Sequence, residues 1–215
     1  VTADGNTGGN FNRYWYANNN PYKFTDPDAR NGELFWTAPD QVTVTFNYIM
    51  TGVNPQFTSQ QLNAQVAQNF SGNVTVNGVN VTVTAQAVQV ANPAPGQVVN
   101  TVNTVPNTAG VTQSGRSETN AIGGNQITLG ASGPDAATAV TGSHEVGHAL
   151  GAGDQYAGGL GANNRTLQAD VSGPANIMKD LSGANANSQT LGEVIRAPTN
   201  VNSCAQVVSA ASGGC

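Results

Sequence analysis

QVTVTFNYIM, residues 41–50, alternates apolar and polar side chains and is rich in Val, Thr, Phe and Tyr. That period and composition predict a strand with one face in a core and one toward water. The next segment changes period. After the turn residues TGVNP, the stretch TSQQLNAQVAQNF (58–70) places Leu62, Val66 and Phe70 four apart with Ala67 beside them. This is the single stripe of an amphipathic helix, with Thr58 or Ser59 as its N-cap. NVTVNGVNVTVTAQAVQV (73–90) returns to alternation and is broken by Asn77-Gly78, a two-residue hairpin signal.

Further along, residues 97–105 and NQITLG (125–130) read as strands. A second helix is expected to start near Pro134 or Asp135 and run through AATAVTGSHEVGHALG, and SQTLGEVIRA (188–197) is a further candidate helix. The stretch PNTAGVTQSGRSETNAIGG (106–124) has no period and reads as a long loop, either a lid or a connection. Strand, helix, several strands, helix and a Gly/Asn-rich tail make an α+β fold with one mixed sheet and two main helices. There is no internal repeat.

Composition narrows the function. The 215 residues (21.9 kDa) fit one domain, or one domain with a short appendage, and no apolar run reaches the roughly 18 residues that a membrane span needs. Charged residues make up 9% of the chain, the formal net charge is -5, and the pI is near 4.7. Seven scattered Lys and Arg cannot form a phosphate-binding face, so nucleic-acid binding is not expected. The chain starts at Val1 without a Met or a signal-peptide pattern and reads as a fragment or processed product. Cys204 and Cys215 suit a disulfide that pins the tail.

The chemistry is concentrated in HEVGHALGAGDQY, from residue 144. The chain's two histidines are His144 and His148; two placed at random among 215 positions fall four apart about once in a hundred. On a helix, i and i+4 share a face, so both imidazoles can reach one ion. Glu145, one step round, can touch a water on that ion and act as general base. A catalytic zinc needs a third ligand and an open position. Gly151 can end the helix in a left-handed turn that returns Asp154 to the metal. Glu193 is the alternative third ligand. A structural zinc in a β-rich binding module would need four protein ligands, for which Cys and His are too few.

HEVGHALGAGD resembles the metzincin zinc endopeptidases, H-E-x-x-H-x-x-G-x-x-H/D, in the Asp-ending version of the snapalysin-like family. The resemblance implies a metzincin-like mixed sheet with the zinc site on the second helix, a Zn²⁺ cofactor, and hydrolysis of a protein or peptide substrate. It also implies a methionine beneath the metal, for which GPANIMKD offers Met178, and an edge strand that pairs with substrate, here NQITLG. Tyr156 is the candidate oxyanion donor.

A second resemblance lies at the other end. GGNFNRYWYANNNPYKFTDP resembles the closing stretch of the Rhs/YD-repeat core through Gly8, Gly9, Asn12, Arg13, Tyr14, Tyr16, Asn19, Asn20, Pro21, Asp26 and Pro27. It departs at Ala29 and Arg30, where that family has Gly and then Leu. This implies that residues 1–30 are the remnant of an Rhs shell and 31–215 the metalloprotease toxin, secreted or delivered into a target cell and paired with an immunity protein. A secreted snapalysin-like protease unrelated to Rhs is the alternative.

Overall fold

The computed structural model describes residues 31–134, 136–163 and 165–204. The Rhs-like residues 1–30 and the expected disulfide partner Cys215 lie outside the described residues. In chain order the elements are β1 (Glu33–Ala38), β2 (Gln41–Gly52), α1 (Ser59–Phe70), β3 (Gly72–Val76), β4 (Val79–Gln89), β5 (Asn100–Val105), β6 (Glu118–Thr119), β7 (Gln126–Gly130), α2 (Ala139–Ala149), α3 (Ser188–Arg196) and β8 (Val201–Cys204).

The alternation in 41–50 is borne out. Val42, Val44, Phe46 and Tyr48 of β2 are buried, as are Val81, Val83, Ala85 and Ala87 of β4. Each large apolar side chain removed from water contributes about 1.5–3 kcal/mol before entropy is counted. The main path of the sheet runs β3-β4-β2-β5-β7-β6. β2 is parallel to β4 and β5, and β5 to β7, whereas β3 and β6 are antiparallel at the two ends. β1 pairs antiparallel with the first half of β2 and carries β8 as a parallel neighbour. The β3–β4 hairpin turns at Asn77 and Gly78, whose φ of 50° and 83° match the left-handed pair that a tight hairpin requires.

The helices follow from local chemistry. α1 begins with a reciprocal cap: the Gln61 N–H donates to the Thr58 hydroxyl at 3.2 Å, and the Thr58 N–H donates to Gln61 Oε1 at 2.8 Å. Leu62, Val66 and Phe70 face the core, packed between β4 and α2. α2 is capped the same way by Thr138 and Thr141. This corrects the expected start near Pro134 or Asp135: backbone bonds Ala136 N–H to Gly133 O and Ala137 N–H to Gly130 O make a turn there first.

Two further expectations are corrected. Three helices form rather than two, because the strongly amphipathic 188–196 segment packs its Leu191, Val194 and Ile195 face inward next to β3. NQITLG is not the edge strand. Its β7 is flanked by β6, drawn from the stretch expected to be loop, with Glu118 opposite Thr128 and Thr119 opposite Ile127. Two residues carry too little periodicity to be seen in sequence. Among the described residues no helix is long and apolar enough to cross a membrane.

Candidate metal centre

α2 presents His144 and His148 one turn apart, and both are buried. His144 Nδ1 lies 2.8 Å from Ile177 O and His148 Nδ1 lies 2.9 Å from Ala152 O. A carbonyl only accepts, so each Nδ1 carries the proton and each Nε2 turns a lone pair inward. The two Nε2 atoms are 3.1 Å apart. Asp154 Oδ1 lies 3.5 Å from Nε2 of His144 and 3.3 Å from that of His148, and it is buried with no hydrogen-bond donor among the described residues. Three lone-pair atoms facing one another repel unless positive charge sits among them. The group His144, His148 and Asp154 can hold a metal ion.

The electrostatics agree. Burial by itself would push the Asp154 carboxyl up, but the two imidazoles beside it win and hold it below the usual carboxylate range. Burial opposes charge on His148, yet Asp154 and Glu145 outweigh it and raise that imidazole. Both shifts reflect one pairing, the Asp154 carboxylate with the imidazoles beside it.

The turn that brings Asp154 back is visible atom by atom. Past α2, the Gly151 N–H donates to His148 O and the Ala152 N–H to Gly147 O, both at 2.9 Å. This is a Schellman closure, and it needs a left-handed residue at Gly151, where φ is 96°. Asp154 is then held from its far side: its Oδ2 accepts from the Leu160 N–H at 2.8 Å, and its own N–H donates to Leu160 O at 2.7 Å. Glu193 lies elsewhere. Its Oε2 accepts from the Gly153 N–H at 3.0 Å and its Oε1 from Gln189 Nε2 at 3.0 Å, so it grips the backbone beside Asp154.

Met178 is fully buried against α2 at the level of the two histidines. A Cβ on Gly147 would stand 2.5 Å from its sulfur, so the glycine in HEVGH is what lets the methionine pack there. Glu145 is also buried, and burial raises its carboxyl above the ordinary range despite the nearby histidines. The Thr119 hydroxyl of β6 lies 2.9 Å from Glu145 Oε2 and 2.8 Å from its backbone O, so one proton is shared between them. Tyr156 is 38% exposed, and its phenol is pushed up to about 12, first by burial and then by Asp154. It is therefore a protonated donor at neutral pH.

Two cavities of about 400 and 320 Å³ flank the cluster and share His144, Glu145, Tyr156, Arg116 and Ser117 in their walls. They meet at these shared residues as a groove, whose 320 Å³ part is also lined by His148, Asp154 and the β6 residues Glu118 and Thr119. Thr119 and Arg116 were not legible as site residues in the sequence, because a loop of Ser, Thr, Asn and Gly offers no spacing to single them out. Compared with protein-family models, with curated proteins and with solved structures, the chain matches none.

Proposed function

We propose that this chain is a zinc-dependent endopeptidase of metzincin type, with His144, His148 and Asp154 as ligands and Glu145 as general base. The observation that carries the reading is the convergence of two Nε2 atoms and one carboxylate oxygen at 3.1, 3.3 and 3.5 Å. A tetrahedral ion held at about 2.0–2.1 Å separates its ligand atoms by about 3.3–3.4 Å, the tetrahedron's edge. Calcium and magnesium want six or more oxygens, which two imidazoles do not supply. The group found among the described residues has three members, which suits a catalytic site with one open position better than a closed structural one. This weighs against the structural-zinc binding module.

When bound, zinc supplies a Lewis acid for the scissile carbonyl and a water acidified toward neutral pH. The chain's own groups do the rest. Glu145, raised by burial, takes the proton of the attacking water and returns it to the leaving amine. Thr119 orients that carboxylate. Tyr156 offers a hydrogen bond to the oxyanion from the groove wall. A peptide extended along the groove pairs with β6, the strand at the end of the sheet.

The order β2, α1, strands, antiparallel end strand β6, parallel β7, α2, Gly151 turn, Asp154 and buried Met178 supports the metzincin assignment. Residues 1–30 support the wider setting: the toxin end of an Rhs-type effector, delivered into a target cell, enclosed by an Rhs shell and neutralised by an immunity protein. The test is incubation of the chain with a quenched-peptide library, with and without a zinc chelator. Cleavage that is lost on chelation and restored by zinc is expected; cleavage indifferent to chelation refutes the assignment.

A further inference from the structure

α3 gives no ligand to the cluster, yet it touches the residues on both sides of Asp154. On one side Glu193 accepts the Gly153 N–H at 3.0 Å. On the other stands Gln155, whose side chain is fully buried. Its Nε2 donates to Thr190 Oγ1 at 2.8 Å and to Asn187 Oδ1 at 3.3 Å. Its Oε1 accepts from Asn187 Nδ2 at 2.8 Å and Asn176 Nδ2 at 3.1 Å. Both amide hydrogens and both lone pairs are thus used. Asn187 is the N-cap of α3, so the network is anchored on the helix start itself.

The same network reaches the floor of the site. Asn176 Oδ1 accepts the Met178 N–H at 3.0 Å, and Met178 O accepts the Gln155 N–H at 2.8 Å. Asp154 itself belongs to no helix or strand. Without an external hold, a ligand in such a segment loses ordering entropy each time it binds an ion.

We propose that α3 is a brace for the third ligand. Glu193 and Gln155 are positioning residues that fix Asp154 Oδ1 against the two imidazoles and so set how tightly the ion is held. The inference rests on the metal reading above. It also explains why a glutamate that the sequence offered as a ligand is placed behind one.

Zinc affinity tests it, by competition against a chromophoric chelator, with apo-protein stability from urea unfolding measured alongside. Glu193→Ala and Gln155→Leu are each expected to weaken zinc binding roughly 10–100-fold. Glu193→Gln keeps an oxygen that accepts the Gly153 N–H and is expected to stay within about threefold of the parent. A merely structural role would lower apo stability but leave the affinity of the folded protein within about twofold, and that result overturns the brace. If Gln155→Leu fails to fold, the two Glu193 variants decide the matter. A parent chain that takes up no zinc refutes the metal reading and the brace together; a zinc-binding parent with unchanged variants refutes the brace alone.

Discussion

Gly151→Ala tests the geometry that joins helix to ligand. Two costs add. At a φ of 96° an alanine sits in left-handed space that L side chains avoid, at about 1–2 kcal/mol. Its Cβ would also lie 2.4 Å from the Cβ of Ala197. Methyl carbons rest about 3.5–4.0 Å apart, so the end of α2 and the residue after α3 must separate by more than about 1 Å. Overpacking of that kind costs about 1–3 kcal/mol. Lower entropy of the unfolded alanine chain returns about 0.4–1 kcal/mol. The net loss is about 1–4.6 kcal/mol. At about 2–4 °C per kcal/mol for a domain of this size, the midpoint falls by roughly 2–18 °C. Urea unfolding of the apo protein measures it. Ala197→Gly in the same chain removes the opposing methyl, so the double variant should lose less than the two single losses added together. A single variant within about 0.5 kcal/mol of the parent would show that Gly151 is not required at this turn, and strict additivity would show that the two methyls do not collide.

Other outcomes follow from individual contacts. Tyr156→Phe keeps the ring and removes the hydroxyl, and kcat should fall by about 10²–10³ with zinc affinity unchanged; a change confined to KM would make Tyr156 a packing residue. Asp154→Ala removes one of three ligands and leaves two lone pairs facing each other, so zinc stoichiometry after dialysis against buffer should drop from one toward zero. Thr58→Ala breaks the reciprocal cap of α1 and should cost about 1 kcal/mol in unfolding free energy without altering zinc affinity.

The sequence showed those parts of the fold whose side chains carry a period. The alternation of β2 and β4, the stripe of α1 and the Asn77-Gly78 turn were all readable, because burial of one face imposes a rhythm. The His144–Glu145–His148 spacing was readable for a related reason: one ion fixes the pitch at which helical ligands must recur. β6 was not, since two residues have no rhythm, and without it β7 reads as the edge. Pro134 and Asp135 look like a helix opening, whereas the cap of α2 is formed by Thr138 and Thr141. Glu193 shows the deeper limit. Its distance along the chain suited a ligand, but only the packing of α3 decides whether a carboxylate faces the ion or the backbone that supports it. Gln155 and Thr119 are silent for a compositional reason, because uncharged polar residues are common throughout this chain.

The proposed role of Glu145 is to move the proton at a zinc held by His144, His148 and Asp154. Glu145→Gln separates that role from metal binding, since its side chain is absent from the ligand group. The decisive measurement compares peptide hydrolysis by the zinc-loaded parent and the zinc-loaded Glu145→Gln variant. Equal zinc content and a rate at least about 10²-fold lower in the variant are expected. Equal zinc content with equal rates would contradict that role.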